Sequence, residues 1–109
     1  MIQVVFPTLS PGEKRLFIFP FGVAVPVGVT ISSAVVVATT YSGTDASPND
    51  IVSGSDSTVG LTVTQLIDAS LGVVGTTYFL LCTATLSDGQ LVQCGGYVAI
   101  LPAAVPGVV

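Results

Sequence analysis

Apolar and polar residues alternate with a period of two over most of this chain. The alternation is clearest in residues 76–101, TTYFLLCTATLSDGQLVQCGGYVAIL. Tyr78, Leu80, Cys82, Ala84 and Leu86 share one parity, so an extended strand carries them on one face. After Ser87, Asp88 and Gly89 come Leu91 and Val92, then Tyr97, Val98 and Ile100. Two β-branched and aromatic runs on either side of Asp-Gly predict a long hairpin that turns at those three residues.

The same period recurs upstream. Residues 13–22 predict a strand with Arg15, Phe17, Phe19 and Phe21 on one face and Lys14, Leu16, Ile18 and Pro20 on the other. Three phenylalanines at spacing two are a core signature, and the apolar second face implies a further packing partner. A Pro/Gly connector, VAVPVGV, leads to a strand over residues 30–41. There Ile31, Ser33, Val35, Val37 and Thr39 alternate with Ser32, Ala34, Val36 and Ala38. The larger side chains of the first set assign it to the core, and the small second set is left to lie beneath a neighbour. Residues 60–67, GLTVTQLI, predict another strand with Leu61, Val63 and Ile67 on one side. The expected core therefore includes Phe17, Phe19, Val35, Val37, Val63, Leu80, Cys82 and Ile100.

Prolines frame this β unit. Residues 1–12 carry Pro7 and Pro11, and residues 102–109 carry Pro102 and Pro106. Proline lacks a backbone donor and blocks helix, so both ends are expected to be extended, at a sheet edge or on a neighbouring molecule. The organisation read from the chain is an N-terminal arm (1–12), one all-β domain (13–101) and a C-terminal arm (102–109). The two arms are the expected docking segments between subunits.

Composition narrows the function. With 109 residues the chain forms one domain. Half of its residues are hydrophobic and 7% are charged, against about 25% charged in an ordinary soluble domain. Much of the surface must then be Thr, Ser, Gly and apolar side chains, which marks a protein that works packed among others. Net charge is −4, and the two basic residues, Lys14 and Arg15, are adjacent. A phosphate-binding face needs several cations, so nucleic acid is not an expected partner. Histidine is absent, which removes the commonest general base and metal ligand.

Lys14 and Arg15 precede the apolar run LFIFPFGVAVPVGV, a pattern with some likeness to an export leader. Glu13 and the breakers Pro20, Gly22, Pro26 and Gly28 argue against both a leader and a membrane helix. Neither export nor a membrane partner is expected.

The remaining chemistry is sparse. The loop of residues 42–59 holds Asp45, Asp50 and Asp56, and Asp68 follows the next strand. Their spacing fits neither a calcium loop nor a carboxylate pair of defined separation; Asx-turns explain them better. Gly54, Gly60, Gly72 and Gly75 are not followed by the Lys-Ser/Thr of a phosphate loop. Cys82 and Cys94 lie on the two arms of the hairpin. A two-residue Asp88-Gly89 loop sets Thr83 opposite Cys94; a three-residue loop with a glycine bulge sets Cys82 opposite Cys94. In the second case the pair is hydrogen-bonded and its Cβ atoms are spread, which disfavours a bridge. Free, buried thiols are the expectation. No catalytic, cofactor-binding or metal-binding residue is nominated, no cofactor is expected, and the chain is not expected to be an enzyme.

Three motifs carry a resemblance: Gly28-Val29-Thr30-Ile31-Ser32-Ser33-Ala34, the entry to the hairpin from Gly72 to Leu80, and the turn Ser87-Asp88-Gly89. With the strand EKRLFIFPF ahead of them, they resemble a family of short structural proteins of tailed bacteriophages over residues 13–101. The resemblance implies a single immunoglobulin-like β-sandwich of about seven strands. It also implies a place in the virion, assembled in the host cytoplasm, as a tail-fibre adaptor, neck component or capsid decoration. The implied partners are other virion proteins (capsid, neck, tail or fibre) and copies of the chain itself. An extracellular immunoglobulin-like adhesion module is the alternative; it would call for a Cys82–Cys94 bridge and a removed leader.

Overall fold

Every stretch with a period of two becomes a strand, residues 52–59, expected within a loop, form a further one, and the strands make two sheets. The computed structural model describes residues 1–101. In chain order the strands are β1 (Ile2–Gln3), β2 (Lys14–Pro20), β3 (Ile31–Ser42), β4 (Val52–Val59), β5 (Thr62–Asp68), β6 (Thr77–Leu86) and β7 (Leu91–Ala99). Short 3-10 turns, Pro48–Ile51 and Ala69–Leu71, join β3 to β4 and β5 to β6. One sheet has the order β1-β7-β6-β3 and the other β2-β5-β4.

Between them lies one apolar core. β2 contributes Phe17 and Phe19 with Phe21 just beyond; β5 contributes Val63 and Ile67; β6 contributes Tyr78, Leu80, Cys82 and Ala84. Each large side chain moved from water to this interior stabilises the fold by about 1.5–3 kcal/mol. The three phenylalanines thus anchor the smaller sheet to the larger one.

The hairpin turns through three residues. The Leu86 amide donates to the Gln90 carbonyl at 2.8 Å and the Gly89 amide to the Leu86 carbonyl at 3.0 Å. Gly89 has φ +88°, a left-handed conformation that glycine adopts without steric penalty. The count of three sets the register throughout, with Thr85 opposite Leu91 and Cys82 opposite Cys94. Both cysteines are buried and free.

On β3 the structure reverses the expected faces. Val36 and Ala38 are buried, whereas Val35 and Val37, expected in the core, are 54% and 41% exposed. The antiparallel ladder with β6 decides this: Val36 pairs with Cys82 and Ala38 with Leu80, and opposite residues share a face. Because β6 must turn Leu80 and Cys82 inward, β3 turns its small set inward too. The interior is already occupied from the other sheet by phenylalanine rings, and Ala34, Val36 and Ala38 suit the space that remains.

Residues 1–9 run along a sheet edge of their own domain, and a turn at Pro11 and Gly12 then leads into β2. β1 pairs in parallel with β7, Ile2 opposite Cys94 and Gln3 opposite Gly95. The Val4 amide donates to the Gly95 carbonyl at 3.0 Å, the Leu9 amide to the Ala99 carbonyl at 2.9 Å, and the Leu101 amide to the Leu9 carbonyl at 2.9 Å. Phe6 stacks on Phe17 with ring centroids 4.7 Å apart, and Leu9 is 1% exposed. A Cβ on Gly96 would meet the Val4 carbonyl and the Phe6 ring; its absence lets the N-terminal segment lie this close. The boundary expected at residue 12 is therefore not a break in packing. Residues 102–109, the second expected arm, lie outside the described residues.

Candidate functional site

With its inner parity committed to the core, the four-stranded sheet presents the alternate residues outward. From β3 come Val35, Val37, Thr39 and Tyr41; from β6 come Thr77, Phe79, Leu81 and Thr83; from β7 come Gln93, Gly95 and Tyr97. Register places them in rows across the sheet. Val35 lies opposite Thr83, Val37 opposite Leu81 and Thr39 opposite Phe79, with Phe79 in turn opposite Tyr97. Side chains opposite one another on one face are within contact distance, so the apolar members form a continuous patch.

An aromatic group crowns it. Tyr97 lies 4.5 Å from Tyr41 and 5.0 Å from Phe79, centroid to centroid, at interplanar angles of 59° and 55°. Tilted pairs at this range are favoured by the ring quadrupoles. Gly95 supports the arrangement, since a Cβ there would meet Cζ of Phe79 at 2.7 Å. Tyr41 and Tyr97 remain 66% and 50% exposed. No strand of this sheet contains a charged residue.

The acids are dispersed instead of gathered. Asp45 accepts a hydrogen bond from the Tyr78 hydroxyl at 2.6 Å, and that hydroxyl accepts one from the Val73 amide at 2.8 Å. Burial, then the neighbouring Asp45 carboxylate, pushes the Tyr78 phenol up. Asp50 sits in the turn Pro48–Ile51 and Asp56 in β4. Asp68 accepts from the Ser70 hydroxyl at 2.6 Å and the Ser70 amide at 3.0 Å, and it pairs with Lys14 at 3.5 Å. The Ser70 hydroxyl bond chiefly, with Lys14 contributing, holds its carboxyl below the ordinary range. Among the described residues no three His, Cys, Asp or Glu side chains gather as a metal site. No helix there is long and apolar enough to cross a membrane.

The thiols are placed for packing. Burial first, then Cys94 and Asp56, pushes Cys82 up to about 12, and burial also raises Cys94. A thiol so protonated is a poor nucleophile.

The outer patch was hidden in the sequence by the reversed reading of β3. Val35 and Val37 are its members on that strand, and Phe79, Leu81 and Tyr97 belong to the parity opposite the buried one. The parity of residues 78–86 carried the signal, because a strand paired with β6 must match its faces. Gln65 was also missed: it is buried, and its amide donates to the Ser53 and Gly54 carbonyls at 2.9 and 3.2 Å. No family model, no curated protein and no solved structure matches the chain.

Proposed function

We propose that this chain is a non-enzymatic structural protein of a tailed-bacteriophage particle, an immunoglobulin-like module that docks on other virion proteins and on copies of itself. The observation that carries the assembly reading is the outer face of the four-stranded sheet. Its apolar and aromatic members adjoin one another, with Thr39, Thr77, Thr83 and Gln93 among them, and its strands bear no charge. A solvated sheet face ordinarily alternates with polar and charged residues, and a contiguous exposed apolar patch marks an interaction surface. Tyr41, Phe79 and Tyr97 supply the aromatic side chains that interface centres favour.

Strand order supports the immunoglobulin-like reading. Taking β2 to β7 as strands B to G, one sheet reads B-E-D and the other G-F-C, the arrangement of that sandwich. Tyr78 near the start of β6, bonded through its hydroxyl to the Val73 amide five residues upstream, resembles the tyrosine corner found at the same place. The N-terminal strand lies beside β7, and the buried cysteines are on β6 and β7. They therefore do not form the inter-sheet pair of antibody domains.

Mass spectrometry of purified particles tests the virion reading. The chain should be present in fixed stoichiometry. A site on a closed neck or tail ring corresponds to about six to twelve copies, and capsid decoration to many more. A monodisperse monomer absent from every particle fraction would end this reading.

A further inference from the structure

The smaller sheet lacks an outer strand at β2. In the immunoglobulin arrangement a further strand stands outside B; here β2 ends its sheet, because residues 1–9 pair with β7 instead. The Ala69 amide donates to the Glu13 carbonyl and the Phe21 amide to the Leu61 carbonyl, both at 2.9 Å, so the odd-numbered residues of β2 bond to β5. Alternate residues of an antiparallel strand turn their backbone groups the same way, and those of Leu16 and Ile18 therefore point away from β5. No other described backbone group bonds to them. Their side chains are exposed as well, at 61% and 55%. Lys14 and Arg15 guard the start of the strand and Pro20 its end; between them the edge is open.

Beside this edge runs a groove of about 440 Å³. Residues 4–7 line one side of it, and Leu16, Phe17 and Ile18 line the other. Phe6 holds the two sides together by stacking on Phe17 and meeting Phe19 edge-on at 5.3 Å. Apart from Arg15, the lining side chains are apolar. A strand laid in the groove would bond to β2 and cover side chains now in water, the mode of recognition in which an extended peptide adds to a sheet edge.

We infer that residues 102–106 of one copy, PAAVP, lie in the groove of the next copy as an added strand beside β2, linking copies head to tail. The segment is uncharged, so it brings no charge into an apolar groove. Its two prolines share one parity; Ala103 and Val105 thus turn their amides to one side, and the missing donors fall on the other. Its point of departure excludes its own groove. The Leu101 amide donates to the Leu9 carbonyl at 2.9 Å, and residues 1–9 run parallel to β7. The chain therefore leaves Leu101 heading away from residues 4–7 of its own molecule. Five extended residues then cover about 16 Å, which brings them within reach of a neighbour. Antiparallel pairing, the more stable ladder, sets Ala103 opposite Ile18 and Val105 opposite Leu16, with about four hydrogen bonds. This contact is distinct from the outer face and goes beyond the assembly reading. Head-to-tail contacts close into rings or extend into filaments.

The test treats the full chain carrying both Leu16→Cys and Val105→Cys with a short bismaleimide, alongside sedimentation of the parent over a concentration series. Cys82 and Cys94 are buried and should not react. Links between copies should give a ladder in steps of 11.0 kDa, and the parent mass should rise with concentration. The Leu16 and Ile18 amides should exchange slowly only in associated samples. Val105→Pro removes a donor aimed at β2 and should weaken association about fivefold or more. Val105→Thr keeps the amide and should stay within about twofold of the parent. Links confined within single molecules, a parent that stays monomeric, or equal affinities for the two Val105 variants would each overturn the inference. Association that shields Tyr41 and Tyr97 but leaves the Leu16 and Ile18 amides exchanging freely would overturn it and keep the assembly reading. A ladder formed by a chain absent from every particle would uphold it and end the virion reading.

Discussion

Tyr78 and Cys82 sit on the same face of β6 and show how polar atoms are tolerated in this core. The Tyr78 ring is buried, while its hydroxyl satisfies both Asp45 and the Val73 amide, so one side chain ties two loops to the sandwich. Cys82 has no such partner and acts as a small hydrophobe. Its burial, with Cys94 and Asp56 nearby, raises the thiol from 9.0 to about 12. The unfolded chain then loses this proton at a lower pH than the folded one. The Cys82 contribution is complete below pH 9.0 and falls away as pH rises toward about 12. Denaturant titrations between pH 8 and pH 11 should show parent stability falling more steeply than that of Cys82→Ala. Parallel curves would show that the thiol is not held protonated by the fold.

At the level of elements, the N-terminal segment depends on a glycine in another strand. Gly96→Ala would drive a methyl into the Val4 carbonyl and the Phe6 ring. The expected cost is about 1–3 kcal/mol, with residues 1–9 cleaved by protease well before the rest. Equal cleavage in parent and variant would mean that the segment is not held through β7. Much of the element pattern was legible in the chain. Asp88-Gly89 marked the turn, Phe17 and Phe19 marked the buried face of β2, and Tyr78 to Leu86 marked the buried face of β6. What failed was the choice between two apolar faces on β3. Side-chain size favoured Val35 and Val37, but pairing with Leu80 and Cys82 outweighed size. A strand with valines on both parities does not reveal its own orientation; its partner does. The pairing of residues 1–9 with β7 was equally hidden, since parallel contacts join distant parts of the chain and proline-rich segments show little alternation.

For the whole molecule, charge distribution separates two surfaces. Glu13, Lys14 and Arg15 cluster at the start of β2, and Lys14 pairs with Asp68 on β5. The strands of the opposite sheet are free of charge. Such polarity fits a component with one solvated side and one covered side. The acids and cysteines serve turns, an ion pair and packing, and the proposed assembly gives the recognition to the outward apolar rows. Hydroxyl-radical footprinting of the tyrosines, in the isolated chain and in assembled particles, reads the covered side directly. Labelling of Tyr41 and Tyr97 should fall several-fold on assembly, with the buried Tyr78 weakly labelled in both states. Equal labelling of Tyr41 and Tyr97 in the two states would contradict the assignment of this face as the docking surface.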